Sequence, residues 1–240
     1  MKLDFDEAAY EKQVLSWLVG MGWKHVFGPE IAVNGSTPER AGFKDVVLVR
    51  RLEEALTRFN PSIDDDVVRR VSRRIQSPGE TSPFWANQLI HSWMTEGVIE
   101  TVRDENGEET AVLIKLFDSE NLENNDWVAV NQLRVTLDDL LEDGENGTRV
   151  PDIVLYLNGM PIAVIELKNP SNSDTTINDA FNQLQTYKEQ IGRLFFCNVA
   201  LVIADGAEAR VGSLTSDLER FMVWRSVDGQ ELDPHGEFGQ

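Results

Sequence analysis

The pattern of apolar residues is clearest in the middle of the chain, where two short runs surround a turn. Residues 153 to 157 and 162 to 167 are almost entirely apolar and rich in β-branched side chains. Continuous apolar runs of this length predict β-strands that are buried on both faces. The Asn158-Gly159 pair between them is typical of a tight turn. The sequence therefore predicts a buried β-hairpin.

Helical and strand patterns follow one another along the rest of the chain. Apolar residues at helical spacing predict a first helix over residues 4 to 20. Further helices are predicted over residues 45 to 58, from Ser62 as N-cap, over 84 to 97 and over 176 to 190. Strands are predicted within residues 23 to 33 and over residues 98 to 102, 110 to 117, 127 to 136, 195 to 204 and 221 to 224. This order predicts an α/β fold with a mixed central β-sheet flanked by helices.

Three charged residues interrupt the apolar hairpin. Asp152 precedes its first strand, and Glu166 and Lys168 lie two residues apart near the end of the second, so they point to the same face. A charge in a buried strand is costly unless it is paired or binds a metal. If the hairpin loop has an odd number of residues, Asp152 shares that face. An even number would place it on the other face, where no site can form.

Two carboxylates that converge on one point repel each other unless a divalent cation lies between them. Hard oxygen ligands with room for water suit Mg²⁺, with Mn²⁺ as its substitute. A lysine beside that cation would position or activate an attacking water, or stabilise the charge that develops on a phosphate. The hairpin therefore predicts a metal-dependent active site made of Asp152, Glu166 and Lys168.

These three residues have the pattern of the PD-(D/E)xK nucleases. Over roughly residues 5 to 225, the chain resembles the N-terminal nuclease domain of the restriction (R, HsdR-type) subunit of type I restriction-modification enzymes. The resemblance rests on motifs in the family's order, which are Glu7 to Glu11, Gly22-Trp23, Asp45 to Leu48, Arg51-Leu52, Ala55-Leu56, Trp127, Val130-Asn131-Gln132, the hairpin with Asn158-Gly159, Gln183 with Tyr187, Asp205-Gly206, Ala209-Arg210, Gly212 to Thr215, and Trp224.

The resemblance implies a restriction-endonuclease-like core and a magnesium-dependent endodeoxyribonuclease. Asp152, Glu166 and the main-chain carbonyl of Leu167 would bind the metal, and hydrolysis would leave a 5′ phosphate. Nucleases of this superfamily often bring a glutamate from an early helix to the metal. Glu7 and Glu11 both have a suitable place, and Glu11 is the preferred candidate, although spacing alone does not decide between them.

The resemblance also implies partners. Gln183 and Tyr187, four residues apart on a predicted helix, would contact the DNA backbone or hold the site together. Duplex DNA and the methyltransferase and specificity subunits of a type I restriction complex are the expected partners. The sequence has no Gly-x-x-x-x-Gly-Lys-Ser/Thr loop, so ATP would bind only in helicase motor domains that lie outside this chain. We expect a nuclease domain over residues 1 to 225 and a polar tail or linker over residues 226 to 240.

The net charge of −19 complicates the nuclease interpretation, because proteins usually bind DNA through basic residues. Thirteen acidic residues lie between positions 104 and 145. They form either solvated surface, or the exterior of a domain whose DNA is held by other domains and subunits. The arginines at positions 69, 70, 73 and 74 form either a solvated helix face or a contact for a phosphate or partner. We expect the isolated domain to bind and cut DNA weakly.

Composition favours a cytoplasmic protein. The single cysteine, Cys197, excludes an internal disulfide, and its apolar neighbours predict an inert core position. No run approaches the ~20 apolar residues that span a bilayer, and the first residues do not resemble a signal peptide. Two alternative functions stay open at this point: a DNA repair or recombination nuclease of the same superfamily, and a non-catalytic docking domain whose acidic surface binds basic subunits.

Overall fold

A mixed seven-stranded β-sheet forms the centre of the protein. In the computed structural model, residues 7–80, 82–103, 107–138, 147–169 and 176–226 are described. Their helices are α1 (Glu7–Gly20), α2 (Gly28–Ile31), α3 (Val49–Phe59), α4 (Asp65–Gln76), α5 (Pro83–Glu96) and α6 (Ile177–Gln190). Their strands are β1 (Lys24–Phe27), β2 (Val98–Arg103), β3 (Glu109–Ile114), β4 (Trp127–Asn131), β5 (Val135–Thr136), β6 (Thr148–Arg149), β7 (Ile153–Leu157), β8 (Met160–Leu167), β9 (Ala200–Ala204), β10 (Ala209–Gly212) and β11 (Met222–Val223).

The large sheet has the strand order β1-β4-β7-β8-β9-β10-β11. β1 runs parallel to β4 and β8 runs parallel to β9, whereas the other neighbours are antiparallel. β2 with β3, and β5 with β6, form two separate two-stranded sheets. The predicted α/β fold with a mixed central sheet flanked by helices is confirmed. None of the described helices is long and apolar enough to cross a membrane.

Side chains alternate between the two faces of the central hairpin, and each face has its own core. On one face, Ile153, Ile165 and Leu167 pack with Tyr10 and Leu18 of α1. On the other face, buried residues of β7 and β8 belong to a larger cluster that includes residues of α3, α4, α5 and α6. The hairpin therefore lies in the middle of the protein, covered on both sides as its continuous apolar pattern predicts.

The Asn158-Gly159 turn is fixed by its contact with the start of α3. The Leu48 amide donates a hydrogen bond of 2.8 Å to the Gly159 carbonyl. Gly159 has φ +81°, and a Cβ there would collide with the backbone of Leu48 and Leu52. Two separate stretches of the family resemblance, residues 45 to 56 and the turn, thus contact each other directly.

Gly159→Ala should lower the free energy of unfolding by roughly 3 kcal/mol, because the backbone conformation and the collision both penalise a side chain. Gly79→Ala is the matched control: Gly79 has φ +84°, but nothing lies within 4 Å of an added Cβ. The control should cost only roughly 1 kcal/mol. Chemical denaturation of both variants measures the difference, and equal losses would contradict the packing argument.

Two predicted helices begin later than expected. The helix predicted from residue 45 begins at Val49, because Arg40 binds the Asp45 carbonyl and the Leu48 amide binds the Gly159 turn. The second helix is capped by Asp64, not by Ser62, since the Asp64 carboxylate accepts a hydrogen bond of 2.8 Å from the Val67 amide. The start of α3 is therefore set by tertiary contacts, and the start of α4 by a local side-chain cap, rather than by the apolar periodicity.

Two predicted strands are shorter than expected. The strand predicted over residues 127 to 136 ends at Asn131, where Gln132 takes φ +55°, and the chain resumes as β5 in a different sheet. The strand predicted from residue 195 begins at Ala200, because residues 192 to 195 form a 3₁₀ helix and Asn87 of α5 binds the carbonyls that follow. The predictions that fall on residues 104–106, 139–146, 170–175 and 227–240 lie outside the described residues.

Candidate active site

A β-bulge in the hairpin brings Asp152 opposite Glu166. The turn has two residues, an even number that by itself would place Asp152 on the wrong face. However, Tyr156 pairs with Pro161 while Leu155 pairs with Ala163, so Ile162 is an extra residue in β8. From Leu155 back towards Asp152, the register has the parity of an odd loop, which places Asp152 on the same face as Glu166. The condition set by the sequence is therefore met by the bulge and not by the turn.

The three charged side chains meet at the end of β8. The Asp152 carboxylate accepts a hydrogen bond of 2.7 Å from the Leu167 amide. Lys168 Nζ donates to Glu166 Oε1 over 2.9 Å. Residue exposure is 9% for Asp152, 1% for Glu166 and 8% for Lys168, so all three are withdrawn from water. Two carboxylates and one ammonium group in so little solvent form an electrostatically unbalanced cluster.

The imbalance appears in the proton affinities of the two carboxylates. Burial, followed by repulsion from Asp152, raises the pKa of Glu166 to about 8, and Lys168 only partly opposes this increase. Burial also raises the pKa of Asp152 to about 6, against the lowering effects of the Leu167 amide and Lys168, while the charges of Glu7 and Glu11 raise it further. Without a further cation, the pair is held partly protonated near neutral pH.

The residues present fit a divalent cation. Among the described residues, the buried Glu166 Oε2 has no hydrogen-bond partner, so it is available as a ligand. Asp152 and Glu166 are hard oxygen donors of the kind that Mg²⁺ and Mn²⁺ prefer. Within the described ranges, no three His, Cys, Asp or Glu side chains converge closely enough to hold one ion. Two carboxylates are thus the protein side chains at the centre of the site, and Glu11 as a ligand stays a prediction.

Stability should fall as pH rises in a metal-free buffer. Between pH 4.5 and 8, folded Glu166 keeps a proton that the unfolded chain has already released, because its folded pKa is about 8. The folded state therefore binds more protons, and the free energy of unfolding decreases with pH through this window. Thermal denaturation in EDTA should show this decrease in wild type and a shallower one in Glu166→Gln. Parallel pH profiles for the two proteins would contradict the assignment.

Gln183 and Tyr187 on α6 extend the site through a chain of hydrogen bonds. Gln183 Oε1 accepts from Lys168 Nζ over 2.7 Å, and Gln183 Nε2 donates to the Tyr187 hydroxyl over 2.6 Å. That hydroxyl donates to the Val150 carbonyl over 3.3 Å, two residues before Asp152. Tyr187 is 2% exposed, and burial and the nearby Glu166 raise the pKa of its phenol. These contacts fit the expectation that the two residues hold the site together.

Glu11 reaches the same end of the sheet from α1, on the opposite face. Its two carboxylate oxygens accept hydrogen bonds from the side-chain amides of Asn131 and Gln132. Sequence reasoning assigned no role to these amides, although it quoted both residues as part of the family resemblance. The signal that was available is two consecutive amide side chains within an otherwise largely apolar predicted strand.

A groove of about 500 Å³ adjoins the lysine side of the site. Its walls come from the entry to β7 and from the exposed face of α6, and they are formed by Thr148, Arg149, Val150, Asp179, Asn182, Gln183, Thr186 and Tyr187. The lining is mainly polar and contains one arginine and one aspartate. Gln183 connects the groove to Lys168, so the groove lies beside the three charged side chains.

The arginine cluster of α4 does not belong to this site. Arg70 and Arg74 both contact Glu100 of β2, at 3.4 and 2.6 Å, and Arg74 also stacks on Trp93. Arg69 pairs with Asp66 within the helix. Arg69, Arg70 and Arg73 are exposed, as the interpretation of a solvated helix face predicts, and Arg70 and Arg74 also attach the β2–β3 hairpin to α4. Cys197 is buried as predicted, and burial raises the pKa of its thiol to about 12.

The chain is similar to known proteins over most of its length. The family model described as Type I restriction enzyme R protein N terminus (HSDR_N) matches residues 4–220. The chain is 35% identical over 223 residues to the Type I restriction enzyme HindI endonuclease subunit of Haemophilus influenzae, which covers 93% of this chain and 20% of that relative. It is 30% identical over 227 residues to the Putative type I restriction enzyme MjaIXP endonuclease subunit of Methanocaldococcus jannaschii, covering 94% and 21%. The chain thus spans about a fifth of the length of these relatives. It belongs to the family of Type I restriction enzyme R protein N termini.

Proposed function

We propose that this chain is the nuclease part of a type I restriction enzyme and that it hydrolyses phosphodiester bonds of duplex DNA. The observation that carries the proposal is the meeting of Asp152, Glu166 and Lys168 in the buried hairpin. Family membership and relatives named as endonuclease subunits support it. A purely structural role is a poor explanation, because two buried carboxylates with raised pKa values destabilise the fold that contains them.

Asp152 and Glu166 would hold Mg²⁺, with Mn²⁺ as a substitute, and the Leu167 carbonyl is a further ligand candidate. When bound, the cation supplies Lewis acidity for the phosphate and lowers the pKa of a coordinated water. The bond from water oxygen to phosphorus forms as the bond to the 3′ oxygen breaks, which leaves a 5′ phosphate.

Lys168 would position the attacking water and stabilise charge on the phosphate. An ammonium group has three hydrogen-bond donors. Among the described residues, Lys168 directs two of them to Glu166 and Gln183. The third can reach a water or a phosphate oxygen. Gln183 and Tyr187 restrict the lysine to this geometry, and such restriction is a large part of how preorganised sites lower a barrier.

The groove beside Lys168 is the proposed path for the DNA strand. Its amide and hydroxyl groups, from Asn182, Thr148 and Thr186, suit phosphate oxygens, and Arg149 supplies one positive charge. One arginine is little attraction for a polyanion when the whole chain carries −19. The chain would therefore cut DNA that is held chiefly by other parts of a larger assembly.

The assembly that fits these features is a type I restriction complex in the cytoplasm. Methyltransferase and specificity subunits are the proposed partners, and ATP would act only in motor domains outside this chain. The relatives are about five times as long as the matched region, which leaves room for such domains in them.

Removal of the metal tests the proposal. The full-length subunit, assembled with its partners, should lose cleavage of plasmid DNA in EDTA and regain it with excess Mg²⁺ or Mn²⁺. ATP hydrolysis must be followed in the same samples, because motor domains also need Mg²⁺. Mn²⁺ binding should also be measured on this chain alone. Binding that is lost in Glu166→Gln would assign the ion to the nuclease site and not to the motor domains. Cleavage that persists in EDTA would contradict the proposal.

A further inference from the structure

Asn131 and Gln132 end β4 directly beside the residue that opens the catalytic hairpin. Asn131 pairs with Ile153 in the β4–β7 register. The Gln132 amide nitrogen of the main chain donates to the Asp152 carbonyl over 3.1 Å. The backbone at this strand end is therefore joined to the backbone of a proposed metal ligand.

Both side chains bind the same carboxylate. Asn131 Nδ2 donates to Glu11 Oε1, and Gln132 Nε2 donates to Glu11 Oε2, each over 2.6 Å. Each oxygen of Glu11 is thus fixed by a different amide, which restricts the rotation of the carboxylate. Gln132 consequently connects α1 to the segment that carries Asp152. Its side chain binds Glu11 of α1, and its main chain binds the Asp152 carbonyl.

The Glu11 carboxylate, which only accepts hydrogen bonds, determines which way the Asn131 amide faces, and His25 on the neighbouring strand β1 contacts the other end of that amide. His25 Nε2 lies 2.8 Å from Asn131 Oδ1. An amide oxygen only accepts hydrogen bonds, so the histidine nitrogen is the donor and the Asn131 amino group is turned to Glu11. The reverse orientation would bring Oδ1 against the carboxylate, where two acceptors repel each other. Asn131 itself is 7% exposed, so little water is available to replace the hydrogen bonds that the reverse orientation would lose.

The backbone of Gln132 indicates that its side chain has a specific use. Its φ is +55°, in the left-handed region that glycine adopts without penalty and other residues rarely adopt. Glycine would suit the main chain better at this position. A glutamine in this conformation is explained if the amide contact with Glu11 is needed, since strain of this kind persists at functional sites.

We propose that Asn131 and Gln132 are positioning residues of the metal site: their side chains fix Glu11 of α1 at the end of β4, and the Gln132 main chain fixes the segment that carries Asp152. His25 binds the other end of the Asn131 amide. The inference rests on the proposed function, because it assumes a metal between Asp152 and Glu166. Partners of this type, which do not touch the ion themselves, typically change metal affinity by about 10- to 100-fold when they are removed.

Mn²⁺ titration of the 240-residue chain tests the inference. Free Mn²⁺ measured by electron paramagnetic resonance should show binding about 10- to 100-fold weaker in Gln132→Gly and in Asn131→Asp than in wild type. Gln132→Gly should keep the melting temperature close to that of wild type, because relief of the backbone strain offsets the loss of the hydrogen bond to Glu11. A merely structural role would lower stability and leave Mn²⁺ affinity unchanged.

Asn124→Asp is the matched control. Asn124 also donates its amide to a carboxylate, that of Asp118 over 2.7 Å. It lies in an exposed 3₁₀ helix (Leu122–Asn124) before the start of β4, whereas Asn131 ends that strand. Its Mn²⁺ affinity should equal that of wild type. Wild-type affinity in Gln132→Gly would overturn this inference alone. If the wild-type chain shows no Glu166-dependent Mn²⁺ binding, the proposed function fails and this inference fails with it.

Discussion

Asp152→Asn and Glu166→Gln should each reduce DNA cleavage by the assembled enzyme by at least about 10³-fold, because several kcal/mol of Lewis-acid stabilisation would be lost and each 1.36 kcal/mol is tenfold in rate. Both changes preserve the size of the side chain, so the fold should survive. Glu166→Gln should be at least as stable as wild type in EDTA, because it removes the buried carboxylate with the larger pKa increase. Plasmid cleavage and thermal denaturation measure the two effects.

The control for these variants is Glu54→Gln, which makes the same chemical change on an exposed part of α3. Glu54 is 62% exposed and lies 3.8 Å from Arg50 on the surface. Cleavage and stability should both be close to wild type. An assembled enzyme with Asp152→Asn, Asp152→Ala or Glu166→Gln that still restricts DNA at the wild-type rate would show that the hairpin is not the active site.

Lys168→Met should reduce cleavage by about 10²- to 10³-fold, the loss that follows removal of one preorganised donor from a transition state. Mn²⁺ binding should persist, because Lys168 is not a proposed ligand. Affinity for Mn²⁺ should even increase, since the lysine no longer competes for Glu166 Oε1. The separation of cleavage from metal binding distinguishes Lys168 from the two carboxylates.

Lys188→Met provides the comparison on the same helix as Gln183. Lys188 lies one turn beyond that glutamine and donates to Gln185, and burial lowers its pKa. Its replacement removes a partly buried lysine without touching the hairpin and should leave cleavage near wild type. Loss of Mn²⁺ binding in Lys168→Met would mean that the lysine shapes the metal site rather than the reaction, which is not what we predict.

The sequence alone was sufficient for the hairpin and for its three charged residues. Continuous apolar strands around Asn158-Gly159 leave few other arrangements, and the period of two along β8 places Glu166 and Lys168 together. The sequence did not predict the bulge. Ile162 is an ordinary apolar strand residue in the sequence, and its carbonyl accepts a hydrogen bond from Val199, which is remote in the chain.

The end of β4 shows the same limit. Residues 127 to 136 look like one strand because apolar residues occur on both sides of Asn131 and Gln132. The break comes from contacts with Asp152 and Glu11, which are separated from Gln132 in sequence by 20 and by more than 100 positions. Local propensity contains no information about such partners. The family resemblance did mark Asn131 and Gln132, but without a physical reason.

Crystals soaked with Mn²⁺ at about pH 8 would test the central claim most directly, through the anomalous scattering of the ion. We predict one strong peak bonded to an oxygen of Asp152 and to Glu166 Oε2, the buried oxygen that has no partner among the described residues. The peak should be absent in Glu166→Gln. Ordered, deprotonated carboxylates at positions 152 and 166 with no ion between them, in saturating Mn²⁺, would contradict the account.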